Sequence, residues 1–356
     1  MKRIAIKVGS NVLTRGDGTL DVTQISSLVD QIATLHQEGL EIILISSGAV
    51  ASGRSEIKPL HKLDDVSARQ LYSAVGQAKL INRYYDFFRD HGIACGQVLT
   101  TKESLGTRGH YLNQRNCMRV MLDNKVIPIM NENDTISVTE LMFTDNDELS
   151  GLVAAMMDVD TLIILSNIDG IYTGNPSDKT SELIPYIQPD NDISDYIQTS
   201  KSTFGRGGML TKHRIACKVA NEGIEVVIAN GRRKNILVEL AKGLSQAVCT
   251  RFVPSSKPSS GVKKWLAHSD SFAKGELYIN ENAAKVLQGK KASSLLSIGI
   301  VDVKGEFEKD DIVKIIGNDN QIVGLGKVGY DSQRTRELMG KKGNKPVVHY
   351  DYLYLE

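Results

Sequence analysis

The sequence lacks the features that mark secreted, membrane-bound and nucleic-acid-binding proteins. Its four cysteines lie far apart, so neither a disulfide framework nor a zinc or redox pair is expected. No stretch approaches about 18 uninterrupted apolar residues, which excludes a predicted membrane span. The first ten residues, in which Lys7 interrupts an apolar run, do not resemble a signal peptide. The net charge of +1 gives no global attraction to anions, so we expect a cytoplasmic protein whose anion sites are local.

Two kinds of catalytic site are also missing from the sequence. None of the seven histidines lies near cysteines or carboxylates at the spacing of metal ligands. The chain has no G-x-S-x-G elbow. Zinc catalysis and nucleophilic catalysis therefore have no support.

The first two thirds of the chain alternate short apolar runs with helical patterns. The runs are residues 3–8, 41–46, 93–99, 126–130, 161–165 and 225–229, and the main helical patterns are residues 22–37, 66–90, 111–124, 148–157 and 211–222. Most of these runs are continuous in Ile, Val and Leu, as in strands covered on both faces. This alternation predicts an α/β fold with a mainly parallel sheet, which binds ligands beyond the carboxyl ends of its strands.

A compositional break follows at residues 254–261, which are rich in Pro, Ser and Gly. Beyond it, short and closely spaced strand patterns occupy residues 275–279, 298–303, 311–316, 322–328 and 347–352. We therefore expect a first domain over residues 1–253, a linker over 254–270 and a small, mostly β domain over 271–356.

A glycine-rich loop at residues 205–212 leads into the last helical pattern of the first domain. Glycines let the backbone approach a ligand, and the N-terminus of a helix favours an anion, so phosphate is the natural guest. The loop is not a Walker A motif, because Thr211 precedes Lys212 and His213 follows it. A glycine-rich surface turn that caps a helix is the alternative.

Two further motifs follow strands directly. Lys7 lies in an apolar strand, where a charge needs an anionic partner, and the N–H groups of Gly9 to Asn11 are candidates to face a phosphoryl group. A frayed strand end that brings Lys7 to solvent is the alternative. Ser47 and Gly48 can bind a carboxylate, although Ser47 can equally be a helix N-cap.

Two polar runs, residues 131–134 and 144–148, contain Asp134, Asp145, Asn146 and Asp147. Two carboxylates with an intervening amide suit a substrate ammonium, but they also suit Mg²⁺, lysine side chains or helix capping. The turn that begins at Ser166 and Asn167 follows another strand and is placed to touch a nucleotide, and a turn without any ligand is the alternative.

Together these motifs resemble the amino acid kinase family. The match is closest to the members that phosphorylate the γ-carboxylate of glutamate in the first step of proline biosynthesis. The resemblance implies a three-layer sandwich with a mainly parallel central sheet, followed by a small mostly-β domain similar to a PUA domain. It also implies Mg²⁺ with ATP, feedback inhibition by proline and a homo-oligomer, dimer or tetramer, built through the kinase domain.

The resemblance assigns a role to each motif. Lys7 and Lys212 would stabilise the transferred phosphoryl group, and Asp147 would organise both lysines. The residues implied to bind glutamate are Ser47, Gly48, Asp134, Asp145 and Asn146. The residues implied to bind ATP are Lys7, Gly9, Ser166, Asn167, Arg206, Gly207, Gly208, Met209, Leu210, Thr211 and Lys212.

The chain departs from the family pattern at three positions. Asn167 replaces a usual Asp, Arg206 a usual Thr and Met142 a Lys found in some relatives. Asn167 suggests altered nucleotide or metal handling.

Two alternatives for the function stay open. Acetylglutamate, aspartate and carbamate kinases share the fold, although two acidic residues favour a free α-amine. RNA binding by the last domain is the other alternative, but 13 Lys and Arg against 12 Asp and Glu over residues 271–356 make a poor electrostatic match for RNA.

Overall fold

The computed structural model describes residues 2–136, 146–176, 178, 180–188, 208–243, 247–256, 265–266, 272–289, 293–318 and 320–355. Met142, Asp145, Arg206 and Gly207 lie outside the described residues. The chain divides into two compact units. The first comprises Met1–Leu105 with Gly109–Pro258, and the second comprises Gly106–Arg108 with Ser259–Glu356.

A mainly parallel sheet forms the centre of the first unit. The described strands are β1 (Arg3–Val8), β2 (Glu41–Ser46), β3 (Cys95–Thr100), β4 (Ile127–Glu132), β5 (Thr161–Ser166), β6 (Tyr186–Ile187), β7 (Glu225–Asn230) and β8 (Cys249–Phe252). Their order is β3-β4-β2-β1-β5-β7-β8-β6, and among these described neighbours β7 and β8 alone are antiparallel. The predicted fold class is confirmed. The sequence did not predict β6 and β8, whose two and four residues are too short for a periodic signal.

Helices precede and follow most of these strands. They are α1 (Ser10–Leu13), α2 (Val22–Gln37), α3 (Ala49–Arg54), α4 (Asp65–Asp90), α5 (Lys102–Gly106), α6 (Arg108–Asp123), α7 (Asn146–Met157), α8 (Met209–Asn221) and α9 (Ile236–Ala241). Where the structure describes the chain, no helix has both the length and the hydropathy to cross a bilayer.

Strand alternation in β1 assigns its two faces to different helices. Ile4, Ile6 and Val8 belong to a core shared with α2, α4 and α9. Successive side chains of a strand point to opposite faces, so Lys7 lies on the other face, where α7 contacts β1. The sheet is therefore covered by helices on both faces, and a charged side chain of β1 is directed towards α7.

The second unit contains a five-stranded sheet among its described residues. Its strands are β9 (Gly275–Ile279), β10 (Ile300–Gly305), β11 (Ile312–Ile316), β12 (Ile322–Val328) and β13 (Val348–Leu355), in the order β10-β9-β11-β12-β13. A 3₁₀ helix (Ser297–Gly299) and two helices, α10 (Glu281–Leu287) and α11 (Ser332–Leu338), complete the described elements. A core that includes Leu277, Val313 and Ile315 lies against the sheet. The mostly-β prediction for this part of the chain is confirmed.

Residues 254–256 and 265–266 of the segment predicted as a linker are described by the structure. The backbone N–H of Ser255 donates to the carbonyl of Ala220 at 2.8 Å, within the first unit. Trp265 and Leu266 are buried, and the guanidinium of Arg108 lies 5.4 Å from the centre of the Trp265 ring.

Candidate active site

A buried carboxylate holds two lysines at the carboxyl ends of the central strands. Lys7 Nζ lies 2.5 Å from Asp147 Oδ1, and Lys212 Nζ lies 2.9 Å from Asp147 Oδ2. Asp147 is fully buried in the first turn of α7, and Lys7 is only 4% exposed. The alternative in which Lys7 lies at a frayed strand end is therefore wrong. We call Lys7, Asp147 and Lys212 the lysine cluster.

The lysine cluster carries one net positive charge in a buried setting. Burial alone would raise the pKa of Asp147, but the Lys7 and Lys212 ammonium groups outweigh it and hold that pKa well below its usual range. Asp147 is therefore ionised at neutral pH. An ionised carboxylate between two cations fixes both lysine side chains without neutralising them completely.

Gly9 follows β1 and gives Lys7 room. Its backbone N–H donates to the carbonyl of Leu165 at 3.1 Å, so the expectation that this N–H faces a phosphoryl group is wrong. A Cβ at position 9 would lie 3.2 Å from that carbonyl oxygen and 3.6 Å from Lys7 Nζ. The glycine therefore keeps space beside the lysine ammonium.

The turn after β2 joins a chain of polar side chains. Asn146 Nδ2 donates to Ser47 Oγ at 2.8 Å and to Asn131 Oδ1 at 3.0 Å. Asn131 Nδ2 donates in turn to Gln77 Oε1 at 2.8 Å. Ser47 is not a helix N-cap, because Gly48 occupies that position with φ of +106°, which favours glycine.

A second group of charges lies at the end of β4. The guanidinium of Arg69 contacts the carboxylate of Asp134 directly and lies 3.6 Å from Glu132 Oε2. Burial raises the pKa of Asp134, and the Arg69 charge opposes that shift. Asp134 and Glu132 are 8% and 5% exposed. We call Arg69, Glu132 and Asp134 the acidic cluster, and it carries one net negative charge.

The long helix α4 carries side chains to both parts of the site. Arg69, Ser73 and Gln77 follow one another at intervals of four residues, so they share one helix face. Ser73 and Gln77 are buried, and Gln77 meets Asn131 while Arg69 meets Asp134. The sequence interpretation missed Arg69 and Gln77. Their four-residue spacing was the signal, since polar residues repeated on one helix face can line a site.

Two glycines let α4 approach α3 closely. A Cβ on Gly53 would lie 1.9 Å from the carbonyl oxygen of Tyr72, and a Cβ on Gly76 would lie 1.9 Å from that of Ala49. Only glycine fits such contacts, so the backbones of the two helices pack directly. This packing positions α4 beside the turn that holds Ser47.

The predicted nucleotide residues lie at the end of β5 and the start of α8. Ser166 is buried, Asn167 is exposed, and their side-chain oxygens lie 3.4 Å apart. Gly208 is the N-cap of α8, and Met209, Leu210, Thr211 and Lys212 form its first turn. The structure therefore brings Lys212 to the lysine cluster from a helix N-terminus.

One ion pair near the end of β5 was not predicted. Arg233, which follows β7, donates to both oxygens of Asp169 at 2.6 and 2.8 Å. Hydrogen bonds from Arg233 are the main cause that lowers the pKa of Asp169. Sequence alone could not pair two residues 64 positions apart. This ion pair ties the turn after β5 to the turn after β7.

No group of three or more His, Cys, Asp or Glu side chains suited to a metal ion occurs among the residues that the structure describes. Asp147 is already occupied by two ammonium groups. The described side chains therefore do not form a carboxylate cage for a divalent cation.

Two family profiles and several known proteins are similar to this chain. Residues 2–230 match the profile of the amino acid kinase family, and residues 275–350 match that of the PUA domain. Glutamate 5-kinase of Bacteroides thetaiotaomicron is 68% identical over 354 residues, which cover 99% of this chain and 98% of the relative. Glutamate 5-kinase of Chlorobaculum tepidum is 46% identical over 360 residues, with 99% and 97% covered.

Solved structures share the fold at low sequence identity. Carbamate kinase from Giardia lamblia bound to AMP-PNP is 16% identical with a TM-score of 0.52, covering 71% of this chain and 99% of that one. An isopentenyl phosphate kinase is 17% identical with a TM-score of 0.51, covering 70% and 100%. These two likenesses concern the fold alone.

Proposed function

This chain belongs to the amino acid kinase family, and we propose that it transfers the γ-phosphoryl group of ATP to the γ-carboxylate of L-glutamate. The product is L-glutamyl 5-phosphate, the first intermediate of proline biosynthesis. The observation that carries this proposal is the lysine cluster, in which one buried carboxylate holds two ammonium groups at the carboxyl ends of β1 and β5.

The proposed reaction needs charge neutralisation more than acid–base chemistry. A carboxylate oxygen of glutamate attacks the γ-phosphorus, the bond from that phosphorus to the bridging oxygen breaks, and ADP leaves. The nucleophile has a pKa of about 4.3, so it is already deprotonated at neutral pH and requires no general base. Lys7 and Lys212 stabilise the charge on the phosphoryl oxygens during transfer. Each ammonium has three N–H donors, so it can contact Asp147 and a phosphoryl oxygen together.

The acceptor is proposed to be an amino acid with a free α-amine. Asp134 supplies a buried carboxylate for an ammonium, and Ser47, Gly48 and Asn146 line the neighbouring turn. An acetylated amine would not need the negative charge of Asp134. These features support glutamate over N-acetylglutamate. Asp145, which lies outside the described residues, is proposed as a second carboxylate for the same group.

ATP is proposed to bind between the end of β5 and the N-terminus of α8. Gly208 to Lys212 present the positive end of a helix, and Ser166 and Asn167 follow β5. Arg206 and Gly207 are assigned to the same site from the family resemblance. Because the described residues form no carboxylate cage, Mg²⁺ is proposed to enter as the complex with ATP, as part of the substrate.

A single assay tests the proposed function. ATP consumption is measured with hydroxylamine, which traps acyl phosphates as hydroxamates, using glutamate, N-acetylglutamate or aspartate as acceptor. We expect hydroxamate from glutamate alone. Equal or faster turnover of either other acceptor would refute the assignment.

The remaining assignments are proposals from the family resemblance. The kinase domain is taken as residues 1–253, the linker as 254–270 and the PUA-like domain as 271–356. We propose a structural or regulatory role for the last domain, because its nearly balanced charge does not favour RNA. Proline inhibition, a homo-oligomer through the kinase domain and a cytoplasmic location stay predictions.

A further inference from the structure

We propose that Arg69 binds the α-carboxylate of the amino-acid substrate, so that the acidic cluster recognises both charges of the zwitterion. This inference rests on the proposed function and adds a residue to it. Neither the polar motifs of the sequence nor the lysine cluster accounts for an arginine at this place.

The charges of the acidic cluster complement those of an α-amino acid. Arg69 contacts Asp134 and lies 3.6 Å from Glu132, so one guanidinium faces two carboxylates. An α-amino acid presents one ammonium beside one carboxylate. Its ammonium can replace Arg69 at one acidic side chain, while its carboxylate accepts hydrogen bonds from the planar guanidinium fork.

Burial makes these charges selective. Glu132 and Asp134 are 5% and 8% exposed, and the Arg69 side chain is 19% exposed. When a bound ligand leaves such a buried charged group without a partner, the desolvation of that group is not offset and the ligand binds more weakly. A substrate with both charges preserves every pairing, whereas one that lacks the α-carboxylate leaves the guanidinium with fewer partners.

Connectivity places the acidic cluster beside the reaction centre. Asn131 and Glu132 are consecutive in β4, and Asn131 bonds to Asn146, which directly precedes Asp147. The cluster therefore lies next to the polar chain that leads to the lysine cluster. Glutamate has the matching arrangement, because two methylene groups separate its zwitterionic end from its γ-carboxylate.

The competing explanation is that Arg69 only neutralises Glu132 and Asp134 so that they can be buried. That explanation predicts equal loss of activity with every acceptor when Arg69 is replaced. Contact with the α-carboxylate predicts a loss that depends on the acceptor. A substrate comparison separates the two.

The experiment measures kcat/KM for L-glutamate and for its α-amide, which keeps the ammonium and the γ-carboxylate. Hydroxamate trapping at saturating MgATP compares four proteins: the unsubstituted protein, Arg69→Gln, Arg69→Lys and Arg83→Gln. The last is a matched control on the same helix. Arg83 is exposed on α4. We expect the unsubstituted protein to prefer glutamate by about 10- to 100-fold, the range of a charge-assisted hydrogen bond.

Arg69→Gln should treat the two acceptors alike, and Arg69→Lys should keep part of the preference, since it retains the charge without the fork. Arg83→Gln should match the unsubstituted protein.

The ratio of kcat/KM for the two acceptors does not depend on how much of a variant is folded. If Arg69→Gln is inactive, Arg69→Lys provides the test. A full preference retained by the Arg69 variants, or no preference in the unsubstituted protein, overturns the inference. No hydroxamate from glutamate in the unsubstituted protein overturns the proposed function as well.

Discussion

The lysine cluster and the acidic cluster lie at the carboxyl ends of strands in the same sheet, and their charge patterns are opposite. In the first, Asp147 lies between two cations, and in the second, Arg69 lies between two carboxylates. Their net charges are therefore +1 and −1. A kinase of this kind must stabilise a phosphoryl group and recognise an ammonium, and one cluster suits each task.

The pKa shifts of the two aspartates show how each cluster works. Two ammonium groups hold the pKa of Asp147 low, so its charge is fixed at working pH. Burial raises the pKa of Asp134, and one guanidinium does not fully offset the effect. A carboxylate whose charge is incompletely compensated gains more from an arriving ammonium. The difference indicates that the charge of Asp147 is already compensated within the protein, whereas that of Asp134 is compensated less completely.

The largest expected effect comes from Asp147→Asn, which leaves two buried ammonium groups without their anion. Removing one member of a buried ion pair costs about 3–5 kcal/mol of unfolding free energy. Because the pKa of Asp147 is lowered on folding, its contribution is complete above the ordinary value of 3.8 and is lost as the pH falls through the folded value. Denaturant unfolding is measured for the unsubstituted protein and for Asp147→Asn. The difference between their unfolding free energies should be constant from neutral pH to about pH 5 and should become smaller below pH 3.8. A difference that grows on acidification would contradict this assignment.

The next effect separates chemistry from binding. Lys7→Met or Lys212→Met should lower kcat by about 10²- to 10³-fold, as when one charge-stabilising donor is removed from a transition state. The KM for glutamate should change little, because the acidic cluster is intact. Lys218→Met, on the same helix α8, is the control and should leave kcat unchanged. An increase in KM for glutamate with unchanged kcat would show that these lysines bind glutamate and do not stabilise the transferred phosphoryl group.

Sequence patterns identified the members of the lysine cluster better than those of the acidic cluster, although the grouping of Lys7, Asp147 and Lys212 came from the family resemblance. Lys7 and Asp147 lie at element ends with local signals, namely a charge in an apolar strand and an acidic first turn. Arg69 lies within a long amphipathic helix, and its partners are about 65 positions away. No local pattern identifies such a pair, because contact between α4 and the end of β4 depends on the packing of the sheet and helices.

The secondary structure was likewise predicted where local patterns are strong and missed where packing between distant residues determines it. Residues 3–8, 41–46 and 22–37 were predicted with the bounds that the structure has, because continuous apolar runs and helical periodicity are strong. Helix α3 was not assigned bounds, since six residues that include a glycine carry little periodicity. Its position depends instead on Gly53 and Gly76, which allow direct contact between helix backbones.

That contact provides a third test, which addresses the support of the acidic cluster. Gly76→Ala would place a Cβ 1.9 Å from the carbonyl oxygen of Ala49, so α4 must shift. We expect a loss of about 3 kcal/mol in unfolding free energy, at the upper end of overpacking effects. The KM for glutamate should rise, since α4 carries Arg69 and Gln77. Gly16→Ala, where nothing lies within 4 Å of the new Cβ, is the control.

The smallest expected effect concerns the nucleotide side of the site. Asn167→Asp restores the charge that the family pattern usually has after β5. An exposed carboxylate beside the proposed MgATP site is worth about 1 kcal/mol or less, so the Mg²⁺ concentration for half-maximal rate should fall several-fold. Unchanged dependence on ATP and Mg²⁺ would show that Asn167 does not influence nucleotide handling.

The most direct test of the contrast between the clusters is the preference for glutamate over glutarate, which lacks the α-ammonium. The ratio of kcat/KM for these two acceptors is measured in the unsubstituted protein, Asp134→Asn and Lys7→Met. The account predicts that Lys7→Met keeps the full preference at a much lower rate, while Asp134→Asn loses most of it. A preference that collapses in Lys7→Met, or that survives in Asp134→Asn, would contradict the assignment of catalysis and recognition to separate clusters.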